Sequence, residues 1–220
     1  MAPSGAAQPP RARKLRPMLI EHCGKRPTIH ETAYVAPNAV VSGDVTVGPG
    51  ARILFGAVLT AEGPTGRVTI GRDVIVMENA LVRGRADRPA HVGDSSLVGP
   101  HAHLNGCHVG DEVFVATGAS IFPGARVGDR AEVRINAVVH VNSALGNGQT
   151  LPIGWIAVGN PAQSFPPDRH DEIWAIQKDL GFTREAFGLE RPPPGQSLMA
   201  EAMRIYSERF GMHAGDEIVG

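Results

Sequence analysis

From Ile29 to Val139 this chain places Val, Ile or Leu at a six-residue interval. The walk runs Ile29, Val35, Val41, Val47, Ile53, Leu59, then Ile70, Val76, Val82, then Val92, Val98, Leu104, then Val109, Val115, Ile121, Val127, Val133 and Val139. It is interrupted after Leu59 and after Val82, and the step from Leu104 to Val109 is five residues instead of six. A period of six fits neither the 3.6-residue helix nor the two-residue alternation of an ordinary strand. It predicts a parallel β-helix of hexapeptide repeats, each repeat a short strand and a turn with its aliphatic residue inside. One coil cannot bury its own inner face, so stacked coils share one core. Two positions before the aliphatic residue the chain keeps small or β-branched side chains, as at Ala39, Val45, Ala51, Ala119, Ala125 and Ala137. Gly48, Gly71, Gly93, Gly110 and Gly128 follow the aliphatic residue, where they are read as supplying turn angles. A narrow bore also explains why aromatics are 5% of a chain that is 42% hydrophobic.

The length of 220 residues suits one domain with appendages. We read residues 1–17 as a disordered tail rich in Pro, Ala and Arg, 18–141 as a β-helix of about six coils, and 142–167 as an irregular cap and connector. Residues 168–220 are read as a helical segment. Its first helix has Asp168 as N-cap and an apolar face of Ile173, Ile176 and Leu180. Its second opens near Ser197 with Met199, Met203, Tyr206 and Phe210 on one stripe, for packing against the coils or a neighbouring subunit. A formal net charge of −1 argues against a nucleic-acid partner. No run approaches 18 apolar residues, so no membrane span is expected. The tail lacks the apolar run of a signal peptide, and Cys23 and Cys107 are too few for a disulfide framework. A cytoplasmic location is the expectation.

The stretches ILFGAVLTAEG, VTIGRDVIVMENALV, SSLVGPHAHLNGC and IAVGNPAQ, between Pro27 and Ala162, resemble the γ-class carbonic anhydrase family of hexapeptide-repeat proteins. The GNPA ending is shared with hexapeptide acyltransferases; the two interruptions and the GC step after Asn105 are more specific to the anhydrase-like branch. The resemblance implies a left-handed β-helix, against the usual right-handed crossover, and a homotrimer. It also implies zinc held by three histidines between adjacent subunits. This chain departs from the family there. The three ligand positions fall on Arg83, Pro100 and Asn105. Arg is never deprotonated in a protein and Pro has no side-chain donor atom. The family's active-site Arg and Asp fall on Thr60 and Glu62 and its Gln on Met77, while the neighbouring carboxylate is kept as Glu78.

The repeat register places Leu59, Val82, Leu104, Ile121 and Val139 in one inward column. The residues after them, Thr60, Arg83, Asn105, Phe122 and His140, then point outward on the same face, as do Leu81 and His103 before them. Four readings of that face follow. Arg83 could bind a small carboxylate or phosphate without a metal, with His103 as general acid or base, Asn105 as polar anchor and Glu78 as a further catalytic candidate; His101, Met77, Thr60 and Glu62 would bind the substrate. Alternatively PHAHLNGCH could rebuild a zinc site from His101, His103, Cys107 and His108. A third reading is an acyltransferase taking a CoA-type donor, with a histidine as base, and a fourth is a scaffold without chemistry. His22, His30, His140, His170 and His213 are read as surface or packing residues, and Cys107 as an apolar filler.

Overall fold

In the computed structural model, which describes residues 16–220, the chain winds through three parallel sheets, so that three hexads make one coil. The tail expected over 1–17 lies, up to residue 15, outside the described residues. The first sheet carries eight parallel strands: Met18–Glu21, Val40–Ser42, Val58–Ala61, Leu81–Gly84, His103–Asn105, Ser120–Ile121, Val138–Val139 and Ile156–Val158. The second and third sheets carry seven each. The expected inward column is present. Val41, Leu59, Val82, Leu104, Ile121 and Val139 stand in register from coil to coil, and each is fully buried. So are Ala39, Ala51, Ala57, Ala119 and Ala137 two positions earlier. Each buried aliphatic side chain removes apolar area worth roughly 1.5–3 kcal/mol, and the ladder bonds to the coils above and below satisfy the backbone.

The stack is longer than six coils. Leu145, Leu151 and Ala157 extend the six-residue walk through the strands Ala144–Leu145, Thr150–Leu151 and Ile156–Val158, inside the stretch read as irregular cap. The dense Gly and Pro of that stretch serve the turns between these strands and do not end the coils. Both exposed edges of the first sheet are closed by antiparallel additions. Gln163–Phe165 pairs with Ile156–Val158, and the C-terminal Glu217–Ile218 pairs with Met18–Glu21, which covers the two outermost parallel strands of this sheet.

The three irregular steps of the walk share one place. The insertions after Leu59 and Val82 and the five-residue step after Leu104 all join the first sheet to the second, in three successive coils. The column Gly48, Gly71, Gly93, Gly110 and Gly128 has a different cause from the one expected. None has a positive φ. A Cβ on Gly93 would sit 2.5 Å from the Gly110 backbone, and one on Gly48 2.7 Å from the Gly71 carbonyl oxygen. These glycines let adjacent coils approach.

Three helices follow the stack, not two: α1 (His170–Gln177), α2 (Phe182–Phe187) and α3 (Met199–Gly211). Asp168 is not the cap of α1. Arg169 holds that position without a side-chain bond, and Leu180 lies past the helix end, before the left-handed Gly181 that starts α2. α2 docks on the irregular corner. The Glu185 carboxylate accepts bonds from Arg88 and Asn142, and the Arg85 guanidinium donates to the Glu185 carbonyl. Burial raises the Glu185 pKa, but Arg88, Asn142 and Arg85 outweigh it and hold the carboxyl below its usual range. From there rings run in a chain, Phe182 to Phe187, Tyr206, Phe210 and His213, ending against His22. Tyr206 packs between Phe187 and Phe210, whereas Met199, Met203 and Phe210 of the same stripe remain exposed.

Candidate functional site

The first sheet brings Arg83 between Thr60 and Asn105 in the ladder, and His103 opposite Leu81. Outward residues on neighbouring strands stand side by side because parallel strands are in register, so this face is legible in the hexad spacing. Glu62, the first residue after its strand, folds back and places its carboxylate 3.1 Å from the Arg83 Nε. The pairing is by proximity, since the Arg83 Nε has no aligned hydrogen bond. Glu62 is buried and the Arg83 side chain 31% exposed. Beside Glu62, a cavity of about 120 Å³ opens between the two corner insertions and α3.

Among the described residues, three of the candidates carry buried polar atoms without an aligned hydrogen-bond partner: Arg83 Nε, His103 Nε2 and Asn105 Oδ1. Buried polar atoms are almost always hydrogen-bonded; among the described residues Ser42, Arg85, Glu132 and His140 carry further unsatisfied ones, and these three lie together on two adjacent strands of one face. Burial lowers the His103 pKa, and the Arg83 charge lowers it further. At neutral pH His103 is therefore an uncharged imidazole able to accept or relay a proton. Below this group the face is closed. The Phe122 ring lies 6.3 Å from the His103 ring, and Phe182 covers Phe122 and His140.

The remaining candidates lie elsewhere. Met77 and Glu78 occupy the turn that precedes Leu81–Gly84, and His101 the equivalent turn one coil on, with its amide bonded to the Glu78 carbonyl. His101 takes φ of +57°, in a turn position that Asn79 fills one coil earlier and Gly118 one coil later. His108 points from the second sheet and faces His91, their ring centroids 4.7 Å apart. Cys107 is fully buried, and burial pushes its thiol up to about 12. His101, His103, Cys107 and His108 thus sit on a turn, two different sheets and in the core. Among the described residues the group of three whose ligand atoms do lie within 4.8 Å of one another is His22, His213 and Asp216. Nothing in the sequence signals that cluster, because His22 and Asp216 are 194 positions apart.

Burial also lowers the pKa of His91 and His140. A depressed folded-state pKa means the unfolded chain binds more protons between the folded value and the unfolded value of about 6.5. Stability should then rise with pH through that window and be complete above it. The expected outcome is a melting temperature that falls on acidification from pH 7.5 to 5.5, with a shallower fall in His103→Asn and His140→Asn, read by thermal denaturation across buffers.

Fold and site define the class: a left-handed β-helix of hexapeptide repeats with a polar face on one sheet and helices laid along one corner. The comparisons agree. A UDP-N-acetylglucosamine acyltransferase of Bacteroides fragilis superposes with a TM-score of 0.51 at 16% identity, over 83% of this chain and 89% of that one, which speaks to the fold alone. The mitochondrial gamma carbonic anhydrase 1 of Arabidopsis thaliana is 34% identical over 160 residues, 70% of this chain and 55% of its own length. The carnitine operon protein CaiE of Escherichia coli K12 is 29% identical over 150 residues, 68% of this chain and 72% of its own length. No family model matches. The chain is similar to gamma carbonic anhydrases and to CaiE proteins, over about two thirds of its own length. It spans about half the length of the gamma carbonic anhydrases it matches.

Among the described residues no helix is long and apolar enough to cross a membrane.

Proposed function

We propose that the Arg83, His103 and Asn105 face is a metal-independent pocket that binds or transforms a small anionic molecule, at the interface of a homotrimer. The observation that carries this is the trio of buried, unsatisfied polar atoms. A carboxylate or bicarbonate oxygen supplies what the Arg83 Nε lacks. The neutral His103 stands ready as proton acceptor, and Asn105 fixes the orientation.

The residues at the family's zinc positions do not suit zinc. Arg83 and Pro100 offer no donor, and the Arg83 guanidinium is already beside Glu62. The family's zinc hydroxide therefore has no counterpart here. Support for a neighbouring subunit comes from the third sheet. Ile75, Leu97 and Phe114 stand side by side on its outer face, with Ile75 38% and Phe114 40% exposed. An uncovered apolar ladder of this kind suits a second copy of the chain.

The test is calorimetric titration of bicarbonate, acetate and inorganic phosphate into tag-free protein, together with its metal content. Saturable binding of at least one anion with less than about 0.1 zinc per chain is expected, since zinc would otherwise be near stoichiometric. Binding of none of the three, or about one zinc per chain that is lost in His103→Ala, overturns the reading.

A further inference from the structure

The cluster of His22, Asp216 and His213 lies at the junction of the first coil, the C-terminal segment and the corner insertion that carries Glu62. His22 is 1% exposed. Its Nδ1 is 2.5 Å from one Asp216 oxygen, and the His213 Nδ1 is 2.8 Å from the other. The His22 Nε2 accepts the backbone N–H of Gly63 at 3.1 Å in a buried bond, and the Cys23 Sγ, a weak donor, lies 3.4 Å from the same nitrogen.

Those two contacts fix the tautomer. Nε2 faces a donor, so it carries the lone pair, and Nδ1 carries the hydrogen and donates to the carboxylate. A metal on Nδ1 would require a proton on Nε2 and would set two N–H groups against each other. The geometry therefore disfavours a metal and favours a relay from Asp216 through His22 to Gly63. Gly63 directly follows Glu62, whose side chain pairs with Arg83. Gly63 itself has φ of +67°, and the Met212 methyl lies 3.4 Å from where its Cβ would be, so the C-terminal segment also closes over the loop.

We propose that His22 is a positioning residue for the Glu62–Arg83 pair: held in one tautomer by Asp216, it anchors the Gly63 amide, and so makes the C-terminal segment part of what shapes the anion pocket. This rests on the reading of the Arg83 face as an anion pocket. It assigns a role to a histidine and a carboxylate at opposite ends of the chain, neither of which touches the pocket.

The experiment uses the full-length protein and the variants His22→Phe, Asp216→Ala and His22→Gln, with Arg83→Ala as the control for the pocket. Hydrogen–deuterium exchange of the peptide spanning Glu62–Arg67 is measured beside calorimetric titration of bicarbonate, acetate and inorganic phosphate. Loss of one buried hydrogen bond should speed exchange of that peptide about fivefold in His22→Phe and Asp216→Ala. The Kd of the tightest of the three anions should rise by a similar, roughly fivefold factor, and the coils around Val139 should exchange as before. His22→Gln, whose amide oxygen can accept from Gly63, should restore both readouts. Unchanged exchange in His22→Phe and Asp216→Ala overturns the proposal. So does faster exchange with unchanged affinity, because His22 would then hold the loop without shaping the pocket. Stoichiometric zinc that raises the melting temperature of the native protein but not of His22→Phe also overturns it, in favour of a metal site. If Arg83→Ala binds every anion as the native protein does, the pocket reading fails by itself, and the exchange data still decide whether His22 anchors the loop.

Discussion

Replacing Arg83 by alanine is expected to weaken anion binding about ten- to hundredfold, the equivalent of losing a charge-assisted hydrogen bond worth about 1.5–3 kcal/mol. Arg83 is the cation at the centre of the polar face, and its Nε has no aligned hydrogen-bond partner in the protomer. The same substitution takes from the buried Glu62 carboxylate its ion-pair partner, so part of any effect would be damage to the fold. The variant Arg83→Ala/Glu62→Gln separates the two. Removing the stranded charge should recover thermal stability while leaving the anion affinity low. Arg83→Lys should recover only part of the affinity, because a point charge does not reproduce the two-pronged contact a guanidinium makes with a carboxylate. Calorimetry with bicarbonate, acetate and phosphate checks all three variants. Equal affinities in the native protein and Arg83→Ala would show that the Arg83–Glu62 pair is a structural ion pair.

Leu104→Ala should cost about 3–5 kcal/mol of stability, the range for a buried leucine whose surroundings relax little. Leu104 is fully buried and stands between Val82 and Ile121 in the inward column. The backbones of the coils above and below are tied by ladder bonds, so they cannot collapse into the space. Leu104 also lies between His103 and Asn105, whose side chains face the pocket from the same strand. Loss of stability should therefore come with loss of anion affinity at temperatures where the variant is still folded. Met199→Ala, at a 47% exposed position, should change stability by no more than about 0.5 kcal/mol. Chemical denaturation of the two variants in parallel checks the contrast.

The six-residue walk carried a large share of the information about this fold. A period of six has one solution in which every aliphatic residue reaches a common core, and the inward column follows from it coil by coil. The outward face of Thr60, Arg83 and Asn105 follows too, since residues that each follow an inward aliphatic residue of the same sheet stand side by side in a parallel ladder, even where insertions change the spacing. Where the walk seemed to stop, at Val139, Leu145 and Leu151 kept the period, but the glycines and prolines around them read equally well as irregular chain. The glycine column was visible as a column, yet its cause was not: only the stacked coils show that a Cβ would meet the backbone of the next turn.

Tertiary structure alone decided the rest. The interruptions after Leu59 and Val82 could be counted in the sequence, but their meeting with the five-residue step at a single corner required the coils to be wound. That corner then becomes the seat of the C-terminal helices. No local pattern could bring Glu185 to Arg88 and Asn142, or Asp216 to His22, because short-range periodicity holds no information about where a segment docks after many residues of turn and loop. The candidate histidines separate for the same reason. His101, His103 and His108 are close in sequence, but a coil turns its strands onto different faces within a few residues, while His22 and His213, distant in sequence, are stacked 4.4 Å apart.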